Sequence, residues 1–507
     1  MAGRITRRGV LRTSLQAAGV AMAAGALGRP VETLAAPAVA KDGRRPNVLF
    51  IPIDDMNDWN GWLGGYPGVK TPNLDRLSRL VTGFRRAYTP SPACQSARAS
   101  ILFSVEPFRS GVYTNKTGNW PDTMLRERPS IVRWFRDAGY RTIGTGKIFH
   151  GGWRGEGDGD SAANDPKAWT DFEYLADLRE NGKETLDWGP SGKQTSETED
   201  VARARWMVRN VLSKRHDKPF FAALGIRKPH MPWVVPQKWF DAYPIDRIRY
   251  PLGALDTENT SVGTNKDDRD LPAGGKEMVR QYVDDHRKII AGKGWKSAIQ
   301  AYLAAISLAD EAVGVLLDGL LEGPNASDTI VCVWSDHGWQ LGEKLAWRKF
   351  TLWERATHVP LLIGGEGLRS GPTDALISSL DIYPTLAKLA TGEVPEGLDG
   401  VSFADKLRGK GGGEPRDHVL TTWALDVGEG RSGDKDKHFA VRTDTHRLIV
   451  YGDGGRELYD ERSDPWEWDN LCHKPDKETA ALADRLAAYI PRRAADAAPK
   501  PEAEAVD

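Results

Sequence analysis

The sequence has little cysteine and no excess of either charge. Its three cysteines, Cys94, Cys332 and Cys472, are an odd number without a pairing pattern, which argues against a disulfide framework. The 69 basic residues nearly balance the 70 acidic ones, so the formal net charge is only −1. Proteins that bind nucleic acid or anionic lipid present a basic face, and this composition predicts no nucleic-acid partner.

Long apolar runs are also missing, and residues 1–40 are predicted to be an export signal. Paired arginines in "TRRGVLR" precede a Gly/Ala-rich run that is too short and too weakly apolar for stable membrane insertion. Small residues at positions 38 and 40 fit a cleavage site. This arrangement is typical of a twin-arginine signal, read by the Tat translocase, and predicts a periplasmic or extracellular protein. A basic N-terminus before an Ala-rich helix is the alternative.

Apolar runs with the character of buried strands alternate with helical periodicity in the rest of the chain. This alternation predicts an α/β fold with a large, mostly parallel sheet sandwiched by helices over residues 45–410. Two polar stretches, 154–194 and 252–293, are predicted to be long surface insertions. Strands are expected at "NVLFIPI", "PFFAALGI" and "TIVCVWSD", and helices at 71–80 and 302–321.

The pattern changes after Gly411. Four short alternating runs predict a smaller C-terminal α+β subdomain with an antiparallel sheet over residues 414–492. A helix near 476–490 closes this subdomain. The final segment, 493–507, is rich in Ala, Pro and Glu and is predicted to be disordered.

Two of the predicted buried strands end in adjacent polar ligands. Asp54 and Asp55 follow "NVLFIPI", and Asp336 and His337 follow "TIVCVWS". Ligands of open α/β sheets gather at the carboxyl ends of strands, where three carboxylates would repel one another without a cation. This oxygen-rich set with one imidazole suits Ca²⁺, Mg²⁺ or Mn²⁺. Either pair alone would more simply cap a helix, but the presence of both favours a metal site.

Cys94 lies in a small, Pro-flanked polar segment, "PSPACQSAR", whereas Cys332 lies in an apolar run. If a helix begins at this segment, Cys94 and Arg98 share one face of its first turn. The N-terminal amides and the Arg98 charge would then attract an anion and stabilise a thiolate. Taken alone, a cysteine with an arginine four residues on is a weak signal.

In order along the chain, these segments resemble the type I sulfatases of the alkaline phosphatase superfamily. Cys94-Gln-Ser-Ala-Arg98 is similar to the family's Cys-x-Ser/Pro-x-Arg motif, and "NVLFIPIDDMND" and "SDHGWQLGEKLAWRKF" resemble its two metal-binding segments. "GYRTIGTGKIFHGG" and "IRKPHMPW" resemble the segments that carry a lysine and two histidines. The histidine that follows Asp336 is similar to the iduronate-2-sulfatase-like branch.

The resemblance implies an alkaline phosphatase-like fold and a sulfuric ester hydrolase that acts on a sulfated small molecule or glycan. In that family a formylglycine-generating enzyme oxidises the motif cysteine, here Cys94, to formylglycine. The aldehyde hydrate attacks with one hydroxyl and later expels sulfate with the other. One Ca²⁺ would be held by Asp54, Asp55, Asp336, His337 and residue 94.

The remaining catalytic residues have roles that the resemblance implies. Arg98 would brace the modified side chain, His150 would assist it, and His230 would protonate the leaving oxygen. Two lysines, Lys147 and Lys349, would bind sulfate oxygens. His358 is expected to satisfy a core hydrogen bond instead. Five tryptophans near the motifs would offer faces to sugar rings, although core packing is the expected role of most: Trp59, Trp62, Trp153, Trp233 and Trp347.

One departure from the family pattern and two alternative functions stay open. Family members commonly have Leu-Thr-Gly where this chain has Leu102-Phe103-Ser104, which bears on the extent of Cys94 modification. The same fold would also serve a phosphate or phosphonate monoester hydrolase. A non-catalytic binder of sulfated ligands, with unmodified Cys94, is the other alternative. The sulfated substrate is not evident from the sequence, with a glycan favoured over choline sulfate or an aryl sulfate.

Overall fold

The computed structural model describes residues 45–494 except 116–122, 151–164, 174, 176–185, 255–256, 258–260, 263, 281–282, 293, 412–414, 425–436 and 493. The predicted export signal, Trp153 and all but one residue of the predicted disordered tail lie outside the described residues. None of the described helices has both the length and the apolar character that a bilayer-spanning segment needs.

Sixteen strands are assigned within the described residues. The apolar runs "NVLFIPI", "PFFAALGI" and "TIVCVWSD" form three of them, as predicted, whereas the strands of seven and eight residues at 82–88 and 371–378 were not predicted. The bounds of all sixteen are β1 Asn47–Ile53, β2 Thr82–Tyr88, β3 Arg141–Gly146, β4 Asp171–Glu173, β5 Trp188–Ser191, β6 Phe220–Gly225, β7 Trp233–Pro236, β8 Thr329–Ser335, β9 Gln340–Leu341, β10 Trp347–Arg348, β11 Leu361–Gly364, β12 Gly371–Ser378, β13 Val419–Ala424, β14 Lys437–Arg442, β15 His446–Val450 and β16 Arg456–Asp460.

The central sheet, over the described residues, has eight strands in the order β12-β2-β11-β8-β1-β6-β3-β4. Neighbouring strands are parallel, except that β11 runs antiparallel to β2 and β8. All of β1 is buried, with Leu49 and Ile51 in one apolar core and Val48 and Phe50 in another. Alternate side chains therefore enter the two faces of the sheet, and both faces are covered. The predicted mostly parallel sheet is confirmed.

Thirteen α-helices lie in the described part of the chain. The predicted helix at 302–321 begins earlier, at Trp295, and most of its side chains are buried. The bounds are α1 Pro72–Leu80, α2 Cys94–Phe103, α3 Pro107–Ser110, α4 Ile131–Asp137, α5 Glu199–Met207, α6 Gln237–Asp241, α7 Ala273–Arg280, α8 Val283–Ala291, α9 Trp295–Leu321, α10 Glu354–Thr357, α11 Ile382–Thr391, α12 Ala404–Leu407 and α13 Lys477–Ala487.

The two stretches predicted to be surface insertions are partly structural. Within 252–293, helices α7 and α8 bury Met278, Val279 and Ile289, so the insertion prediction is wrong there. Gly274 lets α7 approach the C-terminal sheet, because a Cβ at this position would lie 2.6 Å from the Tyr451 side chain. Within 154–194, β4 edges the central sheet and β5 pairs with β7.

The C-terminal antiparallel sheet is confirmed. Strands β13, β14, β15 and β16 pair in sequence order, each antiparallel to the next. Helix α13 begins after Asp476, whose side chain accepts a hydrogen bond from the Thr479 amide. A subdomain boundary near residue 411 remains a prediction from composition.

Candidate active site

The two polar pairs predicted at strand ends meet at the carboxyl edge of the central sheet. Strands β1 and β8 are parallel neighbours whose last residues, Ile53 and Ser335, are in register. The side chains that follow them therefore converge, and the Asp55 amide donates to Asp336 Oδ1 over 3.1 Å. Asp55 adopts a left-handed backbone conformation, φ 65°, which is rare for a non-glycine residue.

Cys94 is the first residue of helix α2, which meets the condition for a shared Cys94–Arg98 face, and it is fully buried. Its Sγ lies 3.1 Å from His337 Nε2 and 3.0 Å from Lys349 Nζ. Asp55 Oδ1 lies 3.9 Å from the same sulfur. The thiol thus lies among a carboxylate, an imidazole and an ammonium group, at a helix N-terminus whose amides favour negative charge.

Arg98, one turn further along α2, joins three segments of the site. Its guanidinium donates to Asp336 Oδ2 over 2.8 Å and to Asp54 Oδ1 over 3.1 Å. It also donates to the carbonyl oxygens of Lys147 and Ile148. No part of this side chain is exposed. Its hydrogen bonds hold the two carboxylates and the Lys147 segment in place around residue 94.

Two lysines reach the cluster from opposite sides. Lys147, just after β3, places Nζ 2.5 Å from Asp54 Oδ2. Lys349 places Nζ 2.6 Å from Asp55 Oδ1. Each lysine thus neutralises one buried carboxylate and places its ammonium group within the cluster.

The segment that carries Lys349 has an unusual backbone. Lys344, Leu345, Arg348 and Phe350 all have positive φ, between 51° and 72°. Such conformations cost about 1 kcal/mol or more each and need support from their surroundings. Support comes from buried partners, because Lys344 Nζ donates to the Glu467 carbonyl over 2.5 Å and the Phe350 amide donates to the Pro92 carbonyl.

The other histidines discussed above, besides His337, lie in three different environments. His150 lies near Cys94, and burial together with Lys147 lowers the pKa of its imidazole. His230 Nε2 lies 3.9 Å from Asp55 Oδ2, and its ring is 27% exposed, more than the carboxylates or the lysines of the cluster. His358 lies outside the cluster, where its Nε2 hydrogen-bonds the Arg85 carbonyl, as expected.

The charges around Cys94 shift its acidity strongly. Burial by itself raises the pKa of the thiol, but Lys147, Lys349 and His337 outweigh it and hold that pKa well below its usual value. Burial raises the pKa of Asp336 to about 6 despite Arg98. For His337, burial opposes protonation, but Asp336 and Cys94 raise its pKa to about 9.

The donor set fits a divalent cation. Within each of three overlapping groups the ligand atoms lie within 4.8 Å of one another. Together the groups contain the five predicted ligands, Asp54, Asp55, Cys94, Asp336 and His337, and also His230. Asp55 Oδ2 is buried and has no hydrogen-bond partner among the described residues. Buried carboxylates need compensation, and hard oxygen donors with one imidazole match Ca²⁺ or Mg²⁺. Four of the five residues come directly from the ends of β1 and β8.

Some supporting residues have no signal in the sequence. Tyr302 on α9 donates to the Asp55 carbonyl over 2.7 Å, and Thr89 donates to the Asp336 carbonyl. Both are ordinary residues of a helix and a strand end, so only their three-dimensional neighbours reveal them. The tryptophans behave as core residues: Trp59, Trp233 and Trp347 are at most 1% exposed and present no face to a sugar.

A mostly parallel sheet with a buried nucleophile, two lysines and a carboxylate cluster at its carboxyl edge defines a hydrolase for anionic esters. The Sulfatase family profile matches residues 46–392, and the profile "N-sulphoglucosamine sulphohydrolase, C-terminal" matches residues 342–493. A "Sulfatase" of Formosa agariphila is 33% identical over 85% of this chain and 84% of its own length. The choline-sulfatase of Rhizobium meliloti is 29% identical over 90% and 88%.

Solved structures share the fold. A phosphonate monoester hydrolase of Agrobacterium radiobacter superposes with a TM-score of 0.73 at 20% identity, covering 88% of this chain and 94% of the other. A 2-O GAG sulfatase superposes with a TM-score of 0.66 at 22% identity, covering 88% and 91%. The architecture is thus alkaline phosphatase-like. The chain belongs to the sulfatase family and is a hydrolase of sulfuric esters.

Proposed function

We propose that the protein removes sulfate from a carbohydrate monoester, with Cys94 converted to formylglycine and one Ca²⁺ bound beside it. The observation that carries this proposal is the position of the Cys94 thiol. It is buried at the start of α2, 3.0 Å from Lys349 Nζ and 3.1 Å from His337 Nε2, within a cluster of three carboxylates. A structural cysteine has no need of these neighbours.

The residues that would hold the metal are Asp54, Asp55, Asp336, His337 and residue 94. When bound, Ca²⁺ would supply positive charge that stabilises an ionised hydroxyl and the sulfate oxygens. Formylglycine would supply a hydrated aldehyde with one hydroxyl for attack and one for release. Arg98 holds Asp54 and Asp336 in position for this site.

The protein's own side chains account for binding and proton transfer. Lys349 and Lys147 would bind sulfate oxygens, because both ammonium groups face the space around residue 94. His150 would assist residue 94, since it lies close enough to Cys94 for each group to influence the pKa of the other. His230 would donate a proton to the leaving oxygen, and its partial exposure suits the side from which the alcohol departs.

Similar proteins that act on or bind sulfated sugars support a carbohydrate substrate. The 2-O GAG sulfatase and a protein crystallised with D-glucosamine-2-N,6-O-disulfate share this fold, the latter with a TM-score of 0.67. The choline-sulfatase makes choline sulfate the second substrate to test. Within the family, we propose the iduronate-2-sulfatase-like branch, and the support for it is the histidine that follows Asp336.

Mass spectrometry of the tryptic peptide AYTPSPACQSAR, from protein made in its native host, tests the modification. We expect residue 94 to be formylglycine, while Cys332, on the buried strand β8, stays a cysteine in the same digest. A fully alkylatable Cys94 would contradict the mechanism and favour a sulfated-ligand binder. Matched sulfate and phosphate esters of one alcohol then separate a sulfatase from a phosphoester hydrolase.

Export through the twin-arginine route is a separate proposal, supported by the N-terminal sequence alone. Replacing Arg7 and Arg8 with lysine should retain the full-length precursor in the cytoplasm. Cell fractionation measures this, and processed protein outside the cytoplasm in that variant would contradict the proposal.

A further inference from the structure

The segment that carries His230 has two prolines and therefore fewer backbone amides that can donate hydrogen bonds. It runs from Arg227 to Trp233 between β6 and β7 and contains Pro229 and Pro232, which have no amide hydrogen to donate. Its peptide bonds before both prolines are cis. The His230 amide donates to the Arg227 carbonyl and the Trp233 indole donates to the Pro229 carbonyl, so hydrogen bonds within the segment brace part of it.

Asp200, in the first turn of α5, binds this segment from the side. Its Oδ1 accepts from the Arg227 amide over 2.7 Å, and its Oδ2 accepts from the Lys228 amide over 2.9 Å. Asp200 is 2% exposed, so solvent does not compete for these bonds. A carboxylate on two consecutive amides fixes both the position and the direction of the chain that follows.

The same turn of α5 is anchored to the other side of the site. Arg203, which is 6% exposed, pairs with Glu199 and donates to Thr145 Oγ1 over 2.9 Å. Thr145 lies two residues before Lys147, on β3. The start of α5 therefore links the strand that leads to Lys147 with the segment that carries His230.

We propose that Asp200 is a positioning residue that aims His230 at the leaving oxygen of the sulfate ester. The inference rests on the proposed function, in which His230 is the general acid. It assigns a catalytic consequence to a buried carboxylate that touches neither the ester nor the reacting atoms. Asn at this position would keep one acceptor oxygen and lose the other, so the segment would shift while the carboxylate cluster stays intact.

The test compares two esters of similar size that differ in the need for an acid. Phenoxide needs a proton more than 4-nitrophenoxide does, because 4-nitrophenol is the stronger acid. We expect Asp200→Asn to lower kcat/KM for both esters or for phenyl sulfate alone. The fold loss for phenyl sulfate should be at least about ten times the fold loss for 4-nitrophenyl sulfate. His230→Ala should change the two substrates in the same direction, and Asp200→Glu, which keeps both acceptors, should restore part of the loss.

The chain offers a matched control. Asp310 on α9 is 1% exposed and accepts from two consecutive amides, those of Asn73 and Leu74, at the start of α1. Asp310→Asn should cost similar thermal stability but leave the ratio of the two substrates unchanged. An equal loss on both esters in Asp200→Asn would overturn the inference. Wild-type protein that hydrolyses neither these aryl sulfates nor sulfated sugars would instead overturn the proposed function.

Discussion

At the scale of single residues, Glu106 is a buried acid without a cation of its own. Arg416 is paired with Asp381 and Arg109 with Asp399, which leaves the Glu106 side chain beside two other carboxylates. Its Oε2 has no hydrogen-bond partner among the described residues. Burial, with Asp399 and Asp381 adding to it, raises the pKa of Glu106 to about 8 from its usual 4.5.

This pKa predicts how stability changes with pH. The folded protein binds the Glu106 proton more tightly than the unfolded chain does, so the free energy of unfolding falls as pH rises from about 4.5 to about 8. Glu106→Gln removes that fall. The free energy of unfolding that the variant gains over the wild type should be about 1–3 kcal/mol larger at pH ~8.5 than at pH ~5. Urea denaturation at the two pH values measures it, with exposed Glu127→Gln as the control. A pH-independent difference would contradict the assignment.

At the scale of elements, helix α2 shows how the Phe103-Ser104 departure is accommodated. Ser104 ends the helix in the left-handed conformation, φ 52° and ψ 48°, which glycine adopts most easily. Its hydroxyl donates to the Leu380 carbonyl over 2.8 Å and accepts from the Gly400 amide over 3.1 Å. The helix thus ends as a glycine would end it, and two hydrogen bonds offset the backbone cost.

Two substitutions at Ser104 separate these effects. Ser104→Ala keeps the strained backbone and loses both hydrogen bonds, so we expect a loss of about 2–4 kcal/mol in the free energy of unfolding. Ser104→Gly loses the same bonds but relieves the backbone, and should be about 1 kcal/mol more stable than the alanine variant. Chemical denaturation of both variants measures the difference. An alanine variant as stable as the glycine variant would show that the left-handed backbone carries no strain.

At the scale of the whole molecule, the C-terminal sheet packs against the part of the chain that carries the candidate active site. One apolar cluster joins Leu352 and Trp353 to Trp423, Ile449 and Tyr459 of that sheet. Partial burial by itself raises the pKa of the Glu354 carboxyl, but Arg442 and Arg447 outweigh it and hold that pKa well below its usual range. These contacts lie only a few residues beyond Lys349, so the sheet also supports the strained segment of the site.

Truncation tests this dependence. A chain ending at residue 410 would lose both arginine partners of Glu354 and expose Leu352 and Trp353, which pack against the C-terminal sheet. We expect that chain to be insoluble or to lack a cooperative thermal transition. A chain ending at residue 494 keeps every described contact and should melt like the full-length protein. Soluble, cooperatively melting 1–410 would show that the two halves fold independently.

Local patterns predicted much of the fold and the centre of the candidate site. The apolar runs of β1, β6 and β8 predicted buried strands because a strand covered on both faces has to be apolar throughout. The polar pairs at two of their ends predicted convergent ligands because parallel strands share a carboxyl edge. The spacing of Cys94 and Arg98 predicted a shared face only if a helix begins at that segment, and the structure supplies that helix as α2.

By itself, the sequence determined the buried strands β1, β6 and β8, the helices at 71–80 and 302–321 and the residue types that meet at the sheet edge, since these depend on near neighbours. Only the tertiary structure decided the antiparallel β11, the buried helices at 273–291, the left-handed backbone around Lys349 and the bonds from Asp200 to the His230 segment. Each of these depends on contacts between residues far apart in the chain. A polar helix or a strained loop is stable only when it packs against a distant segment of the chain. Its own composition therefore does not predict its structure.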